Sequence, residues 1–123
     1  MLVVDDDIDV LRALANEIGT FADVKTATSV SAALALIEPG AFDVVVADLR
    51  LPERWGDELL AYVAARAPRT RRLLLTGDSD PKRTVRELLE LGVIEAFFRK
   101  PRAEGLIETI RGLSPDNSRA SVA

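Results

Sequence analysis

The sequence predicts an α/β fold built on a parallel sheet with helices on both faces. Two observations carry this. Short apolar runs of strand type recur along the 123 residues, and each is followed by a segment whose apolar residues return every three or four positions. Five strands alternating with five helices pack as a parallel sheet covered on both sides. A third observation agrees: Val44-Val45-Val46 is a continuous β-branched run, as expected of a central strand buried on both faces.

The elements follow in order. Leu2-Val3-Val4 is the first strand. Ile8, Leu11, Leu14, Ile18 and Phe21 then recur at helical spacing, with Asp9, Arg12, Asn16 and Glu17 between them, so an amphipathic helix follows. Val24-Lys25-Thr26 is a short second strand. The second helix runs from Ser29 to Glu38, capped by Thr28 or Ser29 and stopped by Pro39-Gly40. The third strand lies within Phe42 to Ala47. The third helix spans Asp57 to Arg66, with Leu59, Leu60 and Val63 inward and Pro68 beyond its end. Leu73-Leu74-Leu75 is the fourth strand. Asp80-Pro81 starts the fourth helix, as cap and first helical residue; Val85, Leu88 and Leu89 form its apolar face and Gly92 ends it. Ala96-Phe97-Phe98 is the fifth strand. Leu106, Ile107 and Ile110 mark a last helix, stopped by Ser114-Pro115. One domain over residues 1–113 is expected, with 114–123 a polar tail or the start of a linker.

Composition excludes several kinds of chemistry. There is no cysteine and no histidine, so disulfides, thiolate metal sites and histidine-based catalysis are absent from the chain. Lack of cysteine suits a reducing cytoplasmic location. The net charge is −4, from 16 basic and 20 acidic residues, so no basic excess exists to neutralise a nucleic-acid backbone. No apolar run is long enough to span a membrane, and no signal peptide is evident.

Sites in such sheets form outside the carboxyl ends of the strands. Polar residues just after strands should therefore converge: Asp5, Asp6 and Asp7 after the first, Asp48 after the third, Thr76 after the fourth and Lys100 after the fifth. The end of the second strand offers no ionisable group, as an edge strand would. Carboxylates meeting in one crevice repel one another, and a divalent cation relieves this. Oxygen-only ligands select Mg²⁺ or a similar hard ion. A lysine would bind the anion completing the site, and a threonine would add a neutral donor. A positioned carboxylate nucleophile, a metal and a cation are what phosphoryl transfer needs.

The set Val3-Val4-Asp5-Asp6, Val46-Ala47-Asp48 with Leu51-Pro52 and Gly56, Leu74-Leu75-Thr76-Gly77, and Lys100-Pro101 resembles the response-regulator receiver family of two-component signal transduction. The resemblance covers about Met1 to Leu113. It implies a flavodoxin-like (βα)5 doubly wound fold, three layers deep, with strand order 2-1-3-4-5. It implies that Asp48 accepts a phosphoryl group, that Asp6 binds Mg²⁺ directly and Asp5 mainly through water, and that the backbone carbonyl of Arg50 is a further ligand. Thr76 would hydrogen-bond the phosphoryl group, Lys100 would pair with it, and Phe97 stands at the switch-aromatic position. The implied donor is a phosphohistidine on a sensor histidine kinase or phosphotransfer protein. Such a domain catalyses its own phosphorylation and dephosphorylation without being a conventional enzyme. Its output would pass through the fourth helix, fifth strand and fifth helix to a partner, or to a second copy in a homodimer.

Each residue has a plainer reading. Asp5, Asp6 and Asp7 cap a helix, Asp48 sits in a turn, Lys100 makes a surface ion pair, Phe97 and Phe98 fill the core. Jointly these must explain five coincidences at strand ends. The alternative function is a pseudo-receiver that binds partners without phosphorylation; the intact acidic pair, acceptor and lysine oppose it. An FMN carrier would need a hydroxyl- and glycine-rich loop where three Asp residues stand. A haloacid-dehalogenase-type phosphatase expects an acid two residues after the nucleophile, where Arg50 stands. Four features depart from the family pattern. The first strand is short, and one extra residue separates Gly92 from Phe97. Arg102 replaces an apolar residue, and Trp55 replaces a small or acidic one.

Overall fold

A computed structural model describes residues 1–77, 80–100 and 105–113. Five strands and five helices alternate: β1 (Leu2–Val4), α1 (Ile8–Ile18), β2 (Lys25–Ala27), α2 (Val30–Leu34), β3 (Val44–Asp48), α3 (Gly56–Arg66), β4 (Arg71–Thr76), α4 (Lys82–Glu90), β5 (Ala96–Arg99) and α5 (Leu106–Leu113). The sheet order is β2-β1-β3-β4-β5, and every pairing is parallel. This is the doubly wound order expected. The expected tail over 114–123, the stop at Ser114-Pro115, and Arg102 lie outside the described residues. Among the described residues no helix is long and apolar enough to cross a membrane.

The period of two along each strand divides the core. Leu2, Val4, Val45, Ala47 and Leu74 face α2, α3 and α4, meeting Val30, Leu59, Leu60, Val63 and Leu88. Val3, Val44, Val46, Leu73 and Leu75 face α1 and α5, meeting Leu11, Ile18, Leu106 and Ile110. A strand buried on both faces needs apolar residues at every position, which is why β3 is fully buried throughout. Its last residue is Asp48, a carboxylate carried to the sheet edge by a run that has no freedom to slip.

Two helices depart from expectation at their ends. Ser29 caps α2 as predicted, accepting from Ala32 N–H at 3.1 Å, but the helix stops at Leu34 rather than Glu38. The chain tightens there into three-residue turns, Leu36 N–H to Ala33 O at 2.9 Å and Ile37 N–H to Leu34 O at 3.3 Å, and so buries Ile37. Pro39 contributes, because the residue before a proline avoids the α conformation. At α4, Pro81 takes the cap position and no side chain caps the helix. Asp80, expected as the cap, turns elsewhere.

Gly56 sets the approach of α3 to the sheet. Its N–H donates to Leu49 O at 2.7 Å, and a Cβ placed there would lie 2.0 Å from the carbonyl oxygen of Asp48. Only glycine lets the helix start this close to the end of β3. Gly56→Ala should therefore destabilise the fold by about 1–3 kcal/mol, the usual cost of forced overpacking, and urea unfolding measures it.

Candidate functional site

The sheet register places the polar residues in a staggered row. Val4 pairs with Ala47, Ala47 with Leu74, and Leu74 with Phe97. The residues one to three steps on therefore meet at the same edge: Asp5, Asp48, Thr76 and Lys100. Lys100 N–H bonds Thr76 O at 2.7 Å, tying the ends of β4 and β5 together.

Asp5 is fully buried. Its Oδ1 accepts the Asp7 N–H at 2.9 Å, and its Oδ2 stands 2.8 Å from Lys100 Nζ. That ion pair is close but poorly aimed, and Oδ2 receives no directed hydrogen bond. Lys100 Nζ also donates to Asp48 Oδ2 at 3.0 Å, so one ammonium spans two carboxylates. Among the described residues, Asp48 Oδ1 receives only the Arg50 N–H, at 3.4 Å. Burial pushes the Asp48 carboxyl up to about 6; its Lys100 hydrogen bond opposes this, while the neighbouring Asp5 charge adds to it. Burial works against the Lys100 ammonium too, but its bonds to Asp5 and Asp48, and their charges, outweigh it and raise the Lys100 pKa.

Asp6 is exposed at the mouth of this pocket. One oxygen from each of Asp5, Asp6 and Asp48 lies within 4.8 Å of the others. Three carboxylates crowd together while one ammonium bridges two of them, and Asp5 Oδ2 lacks a directed donor. A small divalent cation fits these residues, since hard oxygen ligands at this spacing suit Mg²⁺. Asp7 stands apart and caps α1, accepting from Asp9 and Val10 N–H at 3.0 and 3.3 Å.

Thr76 is buried at the end of β4, beside β3, but its hydroxyl donates to Phe98 O at 3.5 Å. Phe97 points outward and is 40% exposed, unlike a core aromatic. Between them lies a cavity of about 290 Å³, bordered by Val85, Leu89 and Arg86 of α4.

Sequence reasoning missed Asp80. Its side chain is only 2% exposed, yet it holds no apolar neighbour's place. Its Oδ2 accepts Gly77 N–H at 2.6 Å, and its Oδ1 accepts from Arg50 Nε. The Arg50 guanidinium also lies over the Trp55 ring, 5.2 Å from its centroid, within cation–π range. Trp55 thus holds Arg50 at the start of α3. The Asp-Pro pair was a helix-start signal in sequence, and nothing local showed that this carboxylate would reach a partner thirty residues away.

The family model for the response regulator receiver domain matches residues 1–111. Response regulator protein PilR of Pseudomonas aeruginosa is 31% identical over 98% of the chain and 28% of its own length. The hydrogenase transcriptional regulatory protein HoxA of Cupriavidus necator is 29% identical over 90% of the chain and 23% of its own. The chain therefore spans about a quarter of the length of these curated relatives. Among solved structures, the non-phosphorylated receiver domain of HemR from Leptospira biflexa is 33% identical, with a TM-score of 0.79 over 92% of each chain. The signal receiver domain of an HD-domain-containing protein from Pseudomonas fluorescens is 26% identical, with a TM-score of 0.79 over 98% of this chain and 89% of that one.

The crowding predicts a pH dependence. The folded-state pKa of Asp48 lies above its ordinary value, so the folded protein holds that proton more tightly than the unfolded chain. This stabilisation is complete below about pH 4 and is lost as pH rises through about 6. With divalent ions chelated, Asp48→Asn should therefore be more stable than the parent protein at pH 7.5, by about 1–3 kcal/mol. The gap should close towards pH 4. Denaturant unfolding at both pH values measures it.

Proposed function

The chain belongs to the response regulator receiver family, and from that premise we propose that it is a signalling switch set by phosphorylation of Asp48. The observation that supports this reading best is the Lys100 ammonium lying 2.8 Å from Asp5 and 3.0 Å from Asp48, at the end of the most buried strand. In the proposed reaction a carboxylate oxygen of Asp48 attacks the phosphorus of a phosphohistidine on a sensor kinase or phosphotransfer protein. The phosphorus–nitrogen bond breaks and its electron pair stays on the imidazole. Lys100 then pairs with the phosphoryl oxygens, and Thr76 donates its hydroxyl to one of them. Asp5, Asp6, Asp48 and the Arg50 carbonyl would hold Mg²⁺, whose charge offsets that of the phosphoryl oxygens.

Burial suits Asp48 to this role. A carboxylate beside a buried neighbour of like charge exchanges a crowded anion for one whose charge extends out toward Lys100 and Thr76. The resting Thr76 hydroxyl has only a long bond to give up. The cavity behind it gives Phe97 space to turn inward once Thr76 moves. This supports a readout through α4, β5 and α5, where Lys82, Arg86, Glu90, Glu95 and Arg99 lie. The switch module would span residues 1–113. The named function of HoxA is transcriptional regulation; for this chain, control of a DNA-binding output elsewhere in the protein remains part of the proposal. The net charge of −4 argues against direct contact with nucleic acid.

Two experiments test the reading. Incubation with Mg²⁺ and a small acyl phosphate should add one phosphoryl group, seen by intact mass, and Asp48→Ala should take up none; equal, stable labelling of that variant overturns the assignment. Calorimetric titration should show Asp6→Ala losing Mg²⁺ affinity by about 10-fold or more, as loss of a metal-site group typically does. An unchanged affinity removes Asp6 from the ligand set.

A further inference from the structure

We propose that Asp80 and Arg50 form a resting-state clasp that holds the loop after β4 against the loop after β3, and that a phosphoryl group on Asp48 opens it by drawing Arg50 away. This rests on the reading of Asp48 as acceptor. The clasp has two halves in one carboxylate. Asp80 Oδ2 takes the N–H of Gly77, the residue after Thr76, at 2.6 Å. Asp80 Oδ1 takes Nε of Arg50, two residues after Asp48. The Arg50 backbone N–H meanwhile contacts Asp48 Oδ1 at 3.4 Å. The acceptor's own loop therefore grips the loop that carries Thr76 toward the site.

The chemistry makes the grip conditional. The Asp80 side chain is 2% exposed, and a carboxylate so buried persists only while charged or hydrogen-bonding partners satisfy it. The Arg50 side chain is half exposed and so has room to swing. Phosphorylation adds close to two negative charges and strong acceptor oxygens a short way along its own loop. A guanidinium binds a phosphoryl group by paired hydrogen bonds at least as well as a carboxylate. Arg50 is then shared between two anions, one buried and monovalent, one at the pocket and nearly divalent. Transfer to the second leaves Asp80 without its cation and frees the Gly77 loop to follow Thr76 inward. Trp55 holds the guanidinium over its ring, on the loop that follows Asp48. Asp80 is a positioning residue here and touches no reacting atom.

The test separates this from the acceptor assignment. In the unphosphorylated protein, exchange of the Gly77 amide with deuterium should quicken several-fold in Arg50→Ala, because the Gly77 N–H is held by Asp80 and Asp80 by Arg50. Asp80→Ala and Asp80→Asn should do the same, the second variant guarding against loss of fold in the first. Labelling of Asp48 by acyl phosphate should then be several-fold faster in the Asp80 variants than in the parent, and the gain should vanish in an Arg50→Ala background, where the clasp is already open. Gly77 exchange unchanged by Arg50→Ala overturns the clasp whatever the labelling shows. Quickened exchange with labelling rates that are unchanged, or that simply add, overturns its role in the switch. A parent protein that takes no label defeats the acceptor reading, and the exchange data still judge the clasp.

Discussion

Lys100 Nζ lies between Asp5 and Asp48, and the negative charge around it exceeds what one ammonium can balance. Asp5 is buried completely, so it cannot shed the imbalance into solvent. Asp6 stands at the pocket mouth and adds a third carboxylate. Burial of charge is tolerated when partners are close and well aimed, yet Asp5 Oδ2 receives no directed hydrogen bond. The pocket is thus held together by attraction to one lysine and strained by repulsion among its acids. An added cation would relieve the repulsion, and the proposed phosphoryl group would give Lys100 a larger anion to pair with.

The fold forces this crowding. Asp48 is the last residue of a strand buried on both faces, and its position follows from the apolar residues behind it. Asp5 follows β1, the strand paired with β3. Lys100 follows β5, two strands away, and reaches back along the row that Thr76 begins. Gly56 closes the other side by letting α3 begin against the Asp48 carbonyl. No single residue creates the site. Parallel strands ending at one edge do, and hydrophobic burial holds them in register against the electrostatic cost.

Most of this was legible in the sequence, because it depends on local periodicity. The apolar runs fixed the strands, and the polar residues following them could converge only at one edge. Asp5, Asp6, Asp48, Thr76 and Lys100 meet there as expected. The Asp7 cap was legible for the same local reason. What was hidden depends on distant partners. Asp80 looked like a cap because Asp-Pro at a helix start is a local signal, whereas its actual bonds reach Gly77 and Arg50 across loops. The early end of α2 reflects burial of Ile37 and the effect of Pro39 together, a balance that periodicity alone does not weigh. Phe97 reads as core by residue type, but β5 is an edge strand with alternating exposure, and its outward face is only partly covered by α4.

The connection between Gly92 and Phe97 is held at its start by bonds to β4. Gly92 adopts a positive φ of 74°, which ends α4 sharply. Arg72 then reaches across from β4 and donates to Val93 O at 2.8 Å and Gly92 O at 3.2 Å. It also donates to Thr70 O at 2.7 Å, so one guanidinium ties the connection after α4 to the chain entering β4. Carbonyls left over at a helix end need donors, and a fixed fork of N–H groups supplies several at once. The connection is thereby pinned at its start, and β5 enters the sheet in register with β4. Two arginines thus act at opposite ends of β4. Arg72, bonded to four backbone carbonyls, braces its end. Arg50, half exposed and paired with the Asp80 carboxylate, joins the loop after β3 to Asp80, just before α4.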